Sequence, residues 1–201
     1  MKMKKLVIIS IFLFCVLFRT NSYAENAYWN LPLQINDSNT HLTFTLDTTW
    51  HTVHGLAKNV TGKIWLSDPS DFSSITGHAQ LYTEDLDTNN SLRDSKMREV
   101  MGEDKHKEVS IILKKANQIC NPNGLKFGES CPIELEADLT IRGTTRTITV
   151  SGNVKKTQSA YIVEAGVDLE WAKFGVEDPS IFIAKVEKIV SIQVRVVLNN
   201  H

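Results

Sequence analysis

Cys120 and Cys131 are the side chains with the most evident chemistry. They lie in a polar stretch that contains Asn121-Pro122-Asn123-Gly124 and Gly128. Their spacing is too wide for Cys-x-x-Cys, and no cationic helix start stands beside them to hold a thiolate, so a redox pair is disfavoured. Two cysteines without a neighbouring histidine pair make a poor zinc site. His51 and His54 are three apart on an expected strand, where side chains alternate, so they face opposite ways and do not readily share one ion. His41, His78 and His106 are scattered, and Asp168 and Glu170 fall on an expected wet face. No Ser-His-Asp order, paired catalytic carboxylates or Gly-rich phosphate loop can be placed in a common cleft. No enzyme, metal or cofactor is expected. The sequons at Asn36, Asn59 and Asn89 are of a kind common by chance.

Where the chain works bears on the cysteines. Lys2, Lys4 and Lys5 precede an apolar run from Leu6 to Phe18, followed by Ser22-Tyr23-Ala24. This pattern predicts a secretory signal peptide over residues 1–24, cut after Ala24, and a single domain over residues 25–201 in the periplasm or outside the cell. The apolar run is 13 residues long, against about 20 needed to span a bilayer, so stable membrane insertion is not expected. Phe14 before Cys15 does not suit a lipidation site. In an oxidising compartment Cys120 and Cys131 should form a disulfide. The signal segment holds four of the 22 basic residues and none of the 23 acidic ones, which leaves a formal charge of −5 on the rest. An acidic domain without a basic stripe argues against nucleic acid or an anionic membrane surface as partner.

Alternation supplies the elements. After an irregular lead-in to Thr40, Leu42, Phe44 and Leu46 share one face. Ile64 and Leu66, then Ala79 and Leu81, then Val109, Ile111 and Leu113, continue the apolar row. The pattern is cleanest in Ile133, Leu135, Ala137, Leu139 and Ile141, with Glu134, Glu136 and Asp138 opposite. Tyr161, Val163, Ala165, Val167 and Leu169 repeat it, as do Val190, Ile192, Val194, Val196 and Leu198. Long strands with one dry face predict an all-β fold, a closed antiparallel up-and-down β-barrel of about eight strands. Ser91–Met101 is the one helix candidate, capped by Asn90 or Ser91. Leu139–Val150 reads as two strands joined by a tight turn at Gly143.

A barrel of that size is filled by its side chains or holds one slender ligand. Small inward residues such as Ala79, Ala137 and Ala165 favour the open interior, and large neighbours favour the filled one. Periodicity alone leaves the two readings even. Candidate lining residues are Phe44, Leu46, Ile64, Leu66, Ala79, Leu81, Val109, Ile111, Leu135, Ala137, Leu139, Val163, Ala165, Val167, Ile192 and Val194.

Two runs carry a resemblance. Leu86-Asp87-Thr88, with Asn90, Arg93 and Asp94, enters the helix, and Leu139-Thr140-Ile141-Arg142-Gly143, with Thr145 and Arg146, forms the later hairpin. In this order and at this spacing they resemble the YceI-like family of bacterial proteins, over roughly Leu42 to Leu198. The resemblance implies a lipocalin-like barrel that binds polyisoprenoid chains, with an isoprenoid quinone or polyprenyl-type lipid as partner. Arg93 and Asp94 would fix the strand-to-helix corner or, on a functional reading, contact a ligand head near the barrel mouth. Two departures put the ligand in doubt. Trp171 stands where many members carry an arginine, in Leu169-Glu170-Trp171-Ala172-Lys173-Phe174-Gly175, and the early histidine is replaced around Trp50–Gly55. The alternative is an exported interaction or stress protein with a filled barrel and no ligand.

Overall fold

A computed structural model describes residues 32–68, 71–121, 124–180 and 185–199. The expected signal peptide lies outside the described residues. The strands are β1 (Leu33–Ile35), β2 (Thr40–Thr48), β3 (Thr52–Ala57), β4 (Thr61–Leu66), β5 (Ile75–Tyr82) and β6 (Leu86–Asp87). After helix α1 (Ser91–Met101) come β7 (Glu108–Ile119), β8 (Ser130–Ile141), β9 (Thr144–Lys156), β10 (Ala160–Glu170) and β11 (Val186–Asn199). The expected all-β class, antiparallel pairing and single α-helix are present, but the described strands number eleven rather than about eight.

All eleven form one sheet in the order β1-β4-β5-β7-β8-β9-β10-β11-β2-β3-β6. The late strand β11 returns beside β2, with Val194 opposite Leu42 and Ile192 opposite Phe44. The sheet curls into a half-barrel rather than closing completely. Consecutive strands β3 and β4 do not pair with each other. Instead β1 adds to β4, with Leu33 opposite Ile64, and β6 adds to β3, with Leu56 opposite Asp87. These very short strands blunt the two edges. The segment expected as an irregular lead-in therefore supplies an edge strand. The β3–β4 turn is tied down by Asp37, whose carboxylate accepts from the Asn59 and Val60 amides at 2.8 and 3.0 Å.

Elsewhere local chemistry explains the elements. Asn90 caps α1 by accepting from the Arg93 amide at 3.1 Å, and Gly102 ends the helix with φ 69°; a left-handed C-terminal residue favours glycine. The β8–β9 turn has φ 51° at Arg142 and φ 70° at Gly143, the double positive φ of a tight hairpin. Along β7 the register slips between Leu113 and Lys115 and again between Ala116 and Gln118. These irregularities keep Ala116 and Ile119 opposite Leu135 and Ile133, although strict alternation from Leu113 would have placed Lys115 inward.

The outer face is wet. Lys114 pairs with Asp138 at 3.1 Å and Arg195 with Glu164 at 3.2 Å. Hydrogen bonds from Thr147 and Lys114 hold the Asp138 carboxyl below its ordinary range. The inner face is divided into two apolar clusters. One contains Ile133, Val154, Tyr161, Ala165, Val196 and Leu198. The other is built on Leu139, Leu169 and Phe174, with Ile111, Ile148, Val167 and Ile192 packed against it.

Candidate functional site

The sixteen candidate lining residues do not share one degree of burial. Leu81, Ala137, Leu139 and Ala165 are buried, Ala137 to 1% exposure. The other twelve, Phe44, Leu46, Ile64, Leu66, Ala79, Val109, Ile111, Leu135, Val163, Val167, Ile192 and Val194, stay only partly buried. Phe44 and Leu46 belong to neither apolar cluster. The Phe44 ring lies across its cross-strand partner Gly55, where a Cβ would collide with it.

Glycines add inner-face positions that the aliphatic rows alone do not reveal. Gly62 pairs with Ala79, and Gly152 with Ala165. A Cβ at Gly62 would meet the backbone around His78 and Ala79, and one at Gly152 the backbone around Glu164 and Ala165. Here small side chains let neighbouring strands approach as the sheet coils; they do not by themselves hollow out the interior. The signal was legible as a two-residue step, Gly62 before Ile64 and Val150 before Gly152.

One end is packed shut. The structure joins Cys120 to Cys131, with Cα atoms 6.2 Å apart. Gly128 and Glu129, between them in the sequence, are bonded to the end of β9, where Gly128 N–H donates to Lys156 O at 2.9 Å and Lys156 N–H to Glu129 O at 3.0 Å. Tyr161, 2% exposed, fills the space beneath, with the Lys156 ammonium 5.5 Å from its ring centre.

The other end gathers both sequence motifs. Asp94 is buried and accepts from the Thr88 amide at 3.0 Å and its hydroxyl at 2.5 Å. Arg93 donates to Thr88 Oγ1 at 2.8 Å and to Thr88 O at 2.6 Å. These contacts fit the structural role, fixing the corner before α1. The hairpin arginines reach a 3-10 turn, Trp171–Phe174, just after β10. Arg142 donates to Gly175 O and pairs with Glu177, and Arg146 Nε donates to Lys173 O at 2.5 Å. The Glu177 amide reaches Val100 O of α1 at 3.2 Å. The turn presents Phe174, 2% exposed, to the second cluster. Sequence reasoning did not single out Phe174, because its run lacks strand alternation. His51 and His54 are both exposed, and among the described residues no three His, Cys, Asp or Glu side chains gather to hold a metal ion.

Residues 33–198 match the YceI-like domain. The chain belongs to this family. Its structure is similar to that of BcnA from Burkholderia cenocepacia, with a TM-score of 0.66 at 12% identity over 79% of this chain and 95% of that one. A polyisoprenoid binding domain from Saccharophagus degradans, implicated in plant cell wall breakdown, gives a TM-score of 0.65 at 12% identity over 84% and 97%. The YCEI protein of Campylobacter jejuni gives 0.58 at 16% over 74% and 85%. At these identities the likeness establishes the fold. No curated protein matches the sequence.

Within this YceI-like domain the departures noted in the sequence acquire a place. Trp171 begins the 3-10 turn and donates from Nε1 to Glu187 O at 2.8 Å, joining that turn to β11. Trp50 lies in the β2–β3 turn and is 66% exposed, outside the apolar row. Among the described residues no helix is long and apolar enough to cross a membrane.

Proposed function

We propose that this YceI-like protein binds a long apolar molecule, an isoprenoid quinone, a polyprenyl-type lipid or another lipid, along the inner face of its half-barrel. The observation that carries the reading is the partial exposure of twelve aliphatic or aromatic inner-face residues, ten of them packed against the two clusters and Phe44 and Leu46 outside both. An aliphatic lining that is incompletely covered gains by meeting an apolar chain, at about 0.8 kcal/mol per buried methylene before the ordering of the chain is counted. The family, and the polyisoprenoid binding domain with the same fold, support an isoprenoid among apolar chains.

The work proposed is carriage, not catalysis. Export to the periplasm remains part of the proposal. It is supported by the Lys-rich start, short apolar run and Ser22-Tyr23-Ala24, and by the Cys120–Cys131 bond, which suits an oxidising compartment.

Leu46→Trp tests the site. Leu46 is partly buried and outside both clusters, so the larger ring should occupy ligand space while the domain folds. Titration with the apolar fluorophore N-phenyl-1-naphthylamine should give saturable binding to the unaltered protein, weakened roughly tenfold, about 1.4 kcal/mol, in the variant. Saturable binding that Leu46→Trp leaves unchanged would place the probe elsewhere. No binding by the unaltered protein would favour a filled barrel that acts through protein partners.

A further inference from the structure

Strands β9 and β10 part company midway. Their ladder runs from Tyr161 opposite Lys156 to Gly166 opposite Ser151 and stops there, although β9 extends back to Thr144 and β10 on to Glu170. Their other edges stay paired over the same stretch, Thr144 with Ile141 of β8 and Glu170 with Ile189 of β11. The divergence opens a cleft of about 430 Å³ between residues 145–148 and 168–170, with Lys173 and Phe174 at its end. Ile148, Leu169 and Phe174 make its apolar floor, and all three belong to or pack against the inner cluster. The cleft thus reaches the inner cluster from solvent and is closed there by the buried Leu169 and Phe174.

Its rim is polar and balanced in charge. Arg146, Lys173, Asp168 and Glu170 all line it. Lys173 pairs with Glu170 at 2.8 Å, and Asp168 accepts from Ser191 Oγ at 2.6 Å. A phosphate head would meet two carboxylates here, with Lys173 already paired to Glu170 and Arg146 Nε already donating to Lys173 O. A hydroxyl or carbonyl head could hydrogen-bond to the same rim without that repulsion.

We propose that the cleft between β9 and β10 is a side-opening mouth of the binding site, selective for an uncharged, hydrogen-bonding head on an apolar chain. This rests on the lipid-binding reading above. The chain passes between the diverging strands to the inner face, and the Phe174 ring, which closes the floor, swings aside to admit it. The Arg142 and Arg146 bonds to the Trp171–Gly175 segment hold the ring in place between such events.

Calorimetric titrations with geranylgeraniol and geranylgeranyl phosphate, on the unaltered protein and on Asp168→Asn/Glu170→Gln, test this selectivity. The unaltered protein should bind the alcohol roughly tenfold or more tightly than the phosphate. The double variant should bind the phosphate more tightly, so the ratio of alcohol to phosphate affinity collapses. Both altered side chains are at the surface rim, so folding should persist, with circular dichroism as the check. Thr147→Trp, on the cleft wall, should slow association of the alcohol. Binding of both ligands with the ratio unchanged by the double variant overturns the mouth assignment and leaves lipid binding intact. Failure of the unaltered protein to bind either ligand overturns both.

Discussion

Asp94 serves the fold through one carboxylate that satisfies two buried donors of Thr88. Asp94→Ala leaves the Thr88 amide without that acceptor in a buried corner, at a cost of about 1–3 kcal/mol. Urea denaturation should show a lower midpoint with little change in slope. Asp87 acts nearby at the surface, where the Lys58 hydrogen bond, followed by the Asn89 amide, holds its carboxyl below the ordinary range. Such a group contributes stability above its unfolded value, about 3.9, and loses it as pH falls through the lower folded value. Asp87→Asn should therefore lower Tm slightly at pH 7, while the difference should fade below about pH 4; a difference that grew in acid would contradict this sign. The Arg93-Asp94 corner was legible through the resemblance its motif carries and through the cap candidates Asn90 and Ser91, whereas the burial of Asp94 was not. Phe174 was not, because nothing in a seven-residue run without alternation says that two arginines some thirty positions upstream will hold it.

At the scale of elements, α1 covers the expected Ser91–Met101, and the expected row of Ile64 and Leu66 lies on β4. Strands β1 and β6 carry too few residues to show a period, and their existence depends on partners β4 and β3 distant in sequence. The break between β9 and β10 was equally hidden, since both strands alternate cleanly across it and only the pairing fails. The Cys120–Cys131 bond closes a short loop at the packed end. Replacing both cysteines with serine should cost at most about 3 kcal/mol in urea unfolding and leave N-phenyl-1-naphthylamine binding nearly unchanged, because that loop lies away from Phe44 and Leu46. A large loss of affinity in a folded variant would show that the loop belongs to the site.

For the whole molecule, the two inner clusters and the partly covered residues packed against or beside them decide between a filled and an occupied barrel. Periodicity alone left an open and a filled interior even at Ala137, and it is packed to 1% exposure. Ala137→Trp should therefore overpack and destabilise by roughly 1–3 kcal/mol, seen as a lower thermal midpoint, as well as disturb any ligand. Ala137 is closed in by neighbours that alternation cannot show, whereas Leu46 keeps its exposure. The most direct measurement is mass spectrometry of an organic extract from natively purified protein. The account predicts a long apolar molecule, an isoprenoid foremost, at close to one per chain and strongly reduced in Leu46→Trp. An extract empty of such molecules, from protein that also fails to take up added prenyl lipid, would contradict it.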